Sequence, residues 1–289
     1  TAFLSLRHVI MYNEPEVIQM PPPIFLGEIK IHAVVPSYHT KQVIVIVADD
    51  PRQHFSDIAN NLIEYRWNGI DYPGTWCLTT SLDGGLHHRS TGVYIMNMPE
   101  LIEEELHAGN EPQLQLRIVD TDTSLTVNVK DHGLRPREAS QVQPWQSGNY
   151  TIQAITALKT LYFGPPTVFN NPDELNRQIG SVLRRILPWI EYHTSRGIGQ
   201  VFVHQPLRFS SEGPQWRDFW TDLFKPYLQL KKVILVLSDD IHAIPAPFYD
   251  YVTGTNLWSL WVNKGRAEWM STNDLDEYLV PEPSGRWLD

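Results

Sequence analysis

Apolar residues alternate with polar ones in some stretches of this chain and recur at helical spacing in others. The two periods divide it into a β-rich first part and an α/β second part. FLSLRHVI (3–10) and IFLGEIKIHAVV (24–35) read as strands, separated by the block Pro21-Pro22-Pro23, whose residues cannot donate to a ladder. VIVIVA (43–48) is apolar on both faces, the pattern of a strand covered on both sides. In FSDIANNLIEYRW (55–67) the residues Phe55, Ile58, Leu62 and Tyr65 fall at helical spacing, and Asn68-Gly69 supplies a closing turn. Short strands are expected near 75–80 and 92–96. A helix is expected over 98–109, with Pro99 at its start, acids in its first turns and Gly109 as its stop. QLQLRIVD (113–120) and SLTVNVK (124–130) both alternate cleanly and predict an antiparallel hairpin. Leu114, Leu116 and Ile118 share one face, with Leu125, Val127 and Val129 as their partners.

Beyond the polar, proline-containing stretch 131–148, the pattern changes. NYTIQAITALKTLYF (149–163) reads as helical. Asn171-Pro172-Asp173-Glu174 forms a helix start, followed by Leu175, Ile179, Val182, Leu183, Ile186, Leu187 and Ile190 on one stripe, with Pro188 late in the helix. GQVFVHQ (199–205) and KKVILVL (231–237) read as strands that flank an amphipathic helix over 215–230. That is a βαβ unit with parallel strands and a right-handed crossover. NLWSLWVN fits a strand or a short helix equally, and Ser271–Asp274 fits a capping box before LDEYLV. The expected fold class is therefore α/β or α+β with mixed sheet. The parts are 1–135 and 149–289, either joined by 131–148 as a linker or forming one continuous domain with that stretch as a surface loop.

Composition narrows the functional classes. A net charge of −10 and only small basic clusters exclude a basic groove for nucleic acid. The single cysteine, Cys77, cannot form an internal disulfide, which favours a reducing compartment; flanked by Trp76 and Leu78, it reads as a small buried hydrophobe. TAFLSLRHVI lacks the pattern of a secretion signal, and no apolar run has the ~18–20 residues of a membrane span. The expected setting is the cytoplasm or a virion.

Candidate chemistry gathers where apolar strands end in acids. VIVIVADD ends in Asp49-Asp50 and VILVLSDD in Asp239-Asp240. Carboxylates at strand carboxyl ends can hold Mg²⁺ or Mn²⁺ against a substrate diphosphate, and sugar-nucleotide transferases use an Asp-x-Asp after an apolar strand in this way. His204 and His242 are the acid–base candidates beside them, and the adjacent pair His87-His88 lies in a polar loop. Aspartate also ends strands simply because it favours turns, as at Asp120 and Asp122 in the hairpin. No phosphate loop, dinucleotide fingerprint, nucleophile elbow or zinc-protease signature occurs.

Ten tryptophans, including Trp258, Trp261, Trp269 and Trp287, supply candidate anchors for a protein partner. On this balance the leading expectation is a structural or assembly protein acting through protein contacts or self-association, of the capsid or virion-surface kind, with no cofactor. The first alternative is a transferase or hydrolase using Mg²⁺ or Mn²⁺ at Asp49, Asp50, Asp239 and Asp240. The second is a monomeric regulatory or carbohydrate-binding module.

Overall fold

The computed structural model describes residues 17–27, 29–48, 62–81, 90–134, 152–159, 172–207, 213–239 and 248–280. Three sheets organise them. The central antiparallel sheet has the order β2-β3-β4-β8-β7 and is built from β2 (Ile24–Leu26), β3 (Ile29–Ser37), β4 (Gln42–Ala48), β7 (Thr75–Ser81) and β8 (Ser90–Asn97). The outer antiparallel sheet, β10-β9-β5-β6, is built from β5 (Ile63–Trp67), β6 (Ile70–Pro73), β9 (Gln113–Ile118) and β10 (Ser124–Asn128). The third sheet is parallel throughout. Its order is β1-β13-β12-β11-β14, from β1 (Val17–Met20), β11 (Ile152–Lys159), β12 (Gln200–Leu207), β13 (Val233–Asp239) and β14 (Ala267–Asn273). With helices α1 (Glu100–His107), α2 (Pro172–Ser195), α3 (Gly213–Gln229) and α4 (Phe248–Val262), the chain is of the α+β class.

The layers follow from which faces are apolar. Val43, Val45 and Val47 point from β4 into a core shared with Ile63, Tyr65, Leu114 and Leu116 of the outer sheet, closed by Ile102 and Leu106 of α1. Ile44 and Ile46 point the other way, towards Leu257, Trp258 and Val262 of α4. The doubly apolar run of β4 thus has apolar partners on both sides, as its pattern requires. On its far side α4 meets Phe202, Ile234 and Val236 of the parallel sheet. The opposite face of that sheet carries α2 and α3, through Trp189, Ile190, Trp220 and Phe224. The βαβ unit is as expected: β12 and β13 are parallel neighbours, with α3 between them in sequence. β1 pairs with β13, so residues 17–20 belong to the same sheet as the later part of the chain.

The predicted hairpin at 113–130 forms in the expected register, with Leu114 opposite Val127 and Leu116 opposite Leu125. Elsewhere the structure corrects the sequence reading. Residues 24–35 form not one strand but a hairpin of β2 and β3, turning at Gly27, whose φ is +62°. Residues 63–67 form a strand rather than the end of a helix. Ile63, Tyr65 and Trp67 are buried at period two, and Asn68-Gly69, with φ of +49° and +78°, is the hairpin turn into β6. Residues 152–159 form β11 rather than a helix, because they pair on both sides, with β12 and β14. A strand inside a parallel sheet need not alternate, so its apolar spacing imitates a helix. Residues 256–262 of NLWSLWVN belong to α4. Ser271 lies in β14, and no helix follows at 274–280. Cys77 is exposed on β7 rather than buried. The strand expected at 3–10, the linker beyond residue 134 and His87-His88 lie outside the described residues. Among the described residues, no helix is long and apolar enough to cross a membrane.

Candidate functional site

The parallel sheet changes direction once. From β11 the chain steps through α2 to β12 and through α3 to β13, always towards β1; β14 then returns to the other side of β11. With α2 and α3 on one face and α4 on the other, the sheet is wound in both directions, and β11 and β14 flank its switch point. Crossovers diverge at such a point, leaving a crevice at the carboxyl ends of the strands where open α/β sheets take their ligands.

Asp274-Leu275-Asp276-Glu277 follows the carboxyl end of β14 and turns back along the last turns of α2. Asp274 and Asp276 are exposed, whereas Leu275 between them is buried in the core of α2 and α3. The backbone N–H of Asp274 donates to Glu277 Oε2 at 2.9 Å, and that of Glu277 donates to the Asp274 carbonyl at 3.0 Å. Only the carboxylate half of a capping box is thus present between 274 and 277; the return bond goes to a backbone carbonyl and closes a turn rather than opening a helix.

Helix α2 holds this segment in place. Trp189 Nε1 donates to the Glu277 carbonyl at 2.7 Å, and the Tyr192 hydroxyl donates to the Leu279 carbonyl at 3.1 Å. His193 is buried and bonded at both ring nitrogens, with Nδ1 2.8 Å from the Trp189 carbonyl and Nε2 3.2 Å from the Leu279 N–H. Those partners require a neutral ring with the proton on Nδ1. Burial lowers the pKa of His193 below 6.5; the Trp189 carbonyl opposes the shift and Arg196 adds to it.

The predicted site residues that the structure describes lie on several different elements. Asp239 ends β13 of the parallel sheet, whereas Asp49 and Asp50 follow β4 of the central sheet, so the two acid-ended strands are not neighbours in one sheet. Asp49, Asp50, Asp240 and His242 lie outside the described residues, as do the segments 160–171, 208–212 and 240–247 that leave β11, β12 and β13. His204 is fully buried on β12, its Nε2 2.5 Å from Ser259 Oγ and its ring edge-on to Trp258. Trp258 is also wholly buried, so it anchors the core and not a partner. Trp261 is partly buried, Trp269 is 58% exposed on β14, and Trp287 lies outside the described residues. Among the described residues, no three His, Cys, Asp or Glu side chains group to hold a metal by themselves.

A second concavity, of about 560 Å³, opens where three sheet edges meet: β1 at Gln19 and Met20, β2 at Ile24, and β10 at residues 125–128. His32, His132 and Trp258 line it, and the His132 ring stands edge-on to Trp258 at 5.5 Å. Burial is the main cause of low pKa values for both histidines: about 3 for His32, helped by Lys30, and about 4 for His132, helped by Lys130 and opposed by Asp131.

No protein-family model matches this chain, and no curated protein sequence matches it. Neither Asp274 with Asp276 nor the histidine-lined concavity was singled out by the sequence reading. Asp-x-Asp stands at Asp274-Leu275-Asp276, but the strand before it, AEWMSTN, is mostly polar and lacks the apolar run that marks Asp49-Asp50 and Asp239-Asp240.

Proposed function

We propose that the chain is a metal-dependent transferase whose donor carries a diphosphate, as a sugar nucleotide does, with Asp274 and Asp276, in the turn that follows β14, as its metal-binding carboxylates. The supporting observation is the coincidence of Asp274-Leu275-Asp276 with the switch point between β11 and β14. Two exposed carboxylates one residue apart are hard oxygen donors, suited to Mg²⁺ or Mn²⁺, which take the rest of their ligands from phosphate and water. When bound, such an ion neutralises charge developing on a diphosphate leaving group. Leu275 in the core and Trp189 on Glu277 fix the backbone from which the aspartates project. The test is calorimetric titration of the full chain with Mn²⁺ and a panel of nucleoside diphosphates. Metal-dependent binding that Asp274→Asn and Asp276→Asn each weaken at least tenfold supports the reading. Nucleotide binding indifferent to metal and to both variants sinks it.

A second reading, association through protein contacts, is favoured by Trp269, a large apolar side chain more than half exposed on β14, the last strand of the parallel sheet. Light scattering across a dilution series decides it: a persistent oligomer that Trp269→Ala dissociates supports it, and a monomer at every concentration removes it.

A further inference from the structure

The histidine-lined concavity is built by three departures from regular structure that converge on His32. The first is a β-bulge. The pairing of β3 with β4 shifts register between Ile31 and Ala33. Ile29 and Ile31 face the outer sheet, whereas Ala33 and Val35 face α4. The bulge thus reverses the phase of the strand at His32, a known way of re-aiming a side chain.

The second is a glycine in α4. A β-carbon on Gly254 would lie 2.9 Å from His32 Cγ and 3.1 Å from Cδ2, so only glycine lets the helix backbone approach the ring this closely. Glycine within a helix costs about 1 kcal/mol relative to alanine, which here is the cost of seating an imidazole. The third is the proline block. Pro21 and Pro22 line the concavity and have no N–H, so an extended linker crosses its rim without leaving those donors to be paired.

Two buried polar atoms of the lining have no hydrogen-bond partner among the described residues: His32 Nε2 and Gln19 Nε2. The Gln19 amide is oriented, because its Oε1 accepts from Arg217 Nη2 at 2.9 Å, and its nitrogen is a donor. Buried polar groups are ordinarily paired, and an imidazole and an amide donor in one lining offer hydrogen-bonding seats without charge. Met20, Ile31, Val34, Val127 and Trp258 supply apolar wall, and Glu111, Thr126, Asn128 and Lys130 add polar, exposed side chains to the lining. The volume falls within the range of small-molecule sites, which combine apolar walls with a few placed polar groups.

We propose that this concavity binds an uncharged small molecule with an apolar body and one hydroxyl or amide head, the head paired with His32 Nε2 and Gln19 Nε2 and the body lying along Trp258 and β10. Lys130 and Glu111, the charged residues of the lining, are exposed and opposite in sign, whereas His32 Nε2 and Gln19 Nε2 are buried, so a charged head seated on those two atoms would be desolvated without a counter-ion bonded to them. Thr126 and Asn128, exposed on β10, stand at the mouth.

The experiment titrates the full chain with 2-naphthol, quinolin-2-one and naphthalene-2-carboxylate. Binding is read by ligand-observed NMR and by the imidazole ¹⁵N shifts of His32. Saturable binding of at least one uncharged probe is expected, with a His32 Nε2 shift of several ppm. Thr126→Trp, which fills the mouth from an exposed position, is expected to weaken that binding at least tenfold with an unchanged circular dichroism spectrum. Failure of both uncharged probes to saturate overturns the proposal. So does binding that leaves His32 unmoved, binding indifferent to Thr126→Trp, or tighter binding of the carboxylate.

Discussion

Gly254 of α4 lies against the imidazole of His32 on β3, so closely that a β-carbon on it would stand 2.9 Å from Cγ and 3.2 Å from Nδ1. Alanine is the better helix former by about 1 kcal/mol, but the atoms it would meet belong to a buried ring held in a bulge, not to a mobile tip. Overpacking of about 1–3 kcal/mol therefore outweighs the helix gain. Gly254→Ala is expected to lower stability to urea by about 1–2 kcal/mol, and the same change in a His32→Ala background is expected to be neutral or stabilising. Additive effects of the two substitutions would remove the contact from the account.

The same histidine makes stability depend on pH. The folded pKa values of His32 and His132, about 3 and about 4, lie below the ordinary 6.5. The unfolded chain thus takes up these protons first, and stability is lost as pH falls. The loss begins near pH 6.5 and proceeds at up to about 1.4 kcal/mol per pH unit for each ring until its folded pKa is reached. Urea unfolding between pH 8 and 4 is expected to show this slope, and His32→Phe is expected to reduce it. An unchanged slope would assign the acid sensitivity to other groups.

Arg266 is buried at the turn from α4 into β14, donating to Asn263 Oδ1 and, at 3.1 Å, to Gln200 Oε1. Arg266→Met leaves both acceptors buried without that donor, at about 1–3 kcal/mol each. A loss of about 2–4 kcal/mol in denaturant unfolding is expected. A loss below about 1 kcal/mol would mean that the acceptors find other partners.

Two tryptophans near each other in sequence should behave oppositely. Trp258 is wholly buried among Phe202, His132 and His204, so Trp258→Ala should cost about 3–5 kcal/mol. Trp269 is 58% exposed, and Trp269→Ala should change the stability of the isolated chain by no more than about 0.5 kcal/mol. Thermal melts of the two variants check both; similar losses would contradict the assigned burial.

What the sequence disclosed depended on how many faces each element buries. The hairpin at 113–128 has one buried face, so its alternation named both strands and their register. α3 likewise carries one apolar stripe, with Trp220 and Phe224 inward and Arg217 and Asp218 exposed. α4 is covered by the central sheet on one side and by the parallel sheet on the other, and an element apolar all round has no period to read. β11 misled differently: it lies inside a parallel sheet, paired along both edges, where a strand need not alternate. At 63–69 the information was present but outweighed: Ile63, Tyr65 and Trp67 alternate into Asn68-Gly69, the favoured hairpin dipeptide, while Phe55, Ile58 and Leu62 suggested a helix. The candidate sites were less legible than the fold. The meeting of β14 with β11, and of His32 with Gly254, joins residues far apart in the chain, and no local pattern encodes either.

The pairing of Val17–Met20 with Leu235–Ser238 sets an order on how this protein can be made. The strands β2 to β10 close the two antiparallel sheets with partners drawn only from residues 24–128, so that sandwich can assemble while the rest is still being synthesised. The first strand must wait more than two hundred residues for its neighbour, a long loop closure of the kind that slows folding. A shortened version that starts after residue 20 would strip β13 of that neighbour and bare a backbone edge beside the histidine-lined concavity.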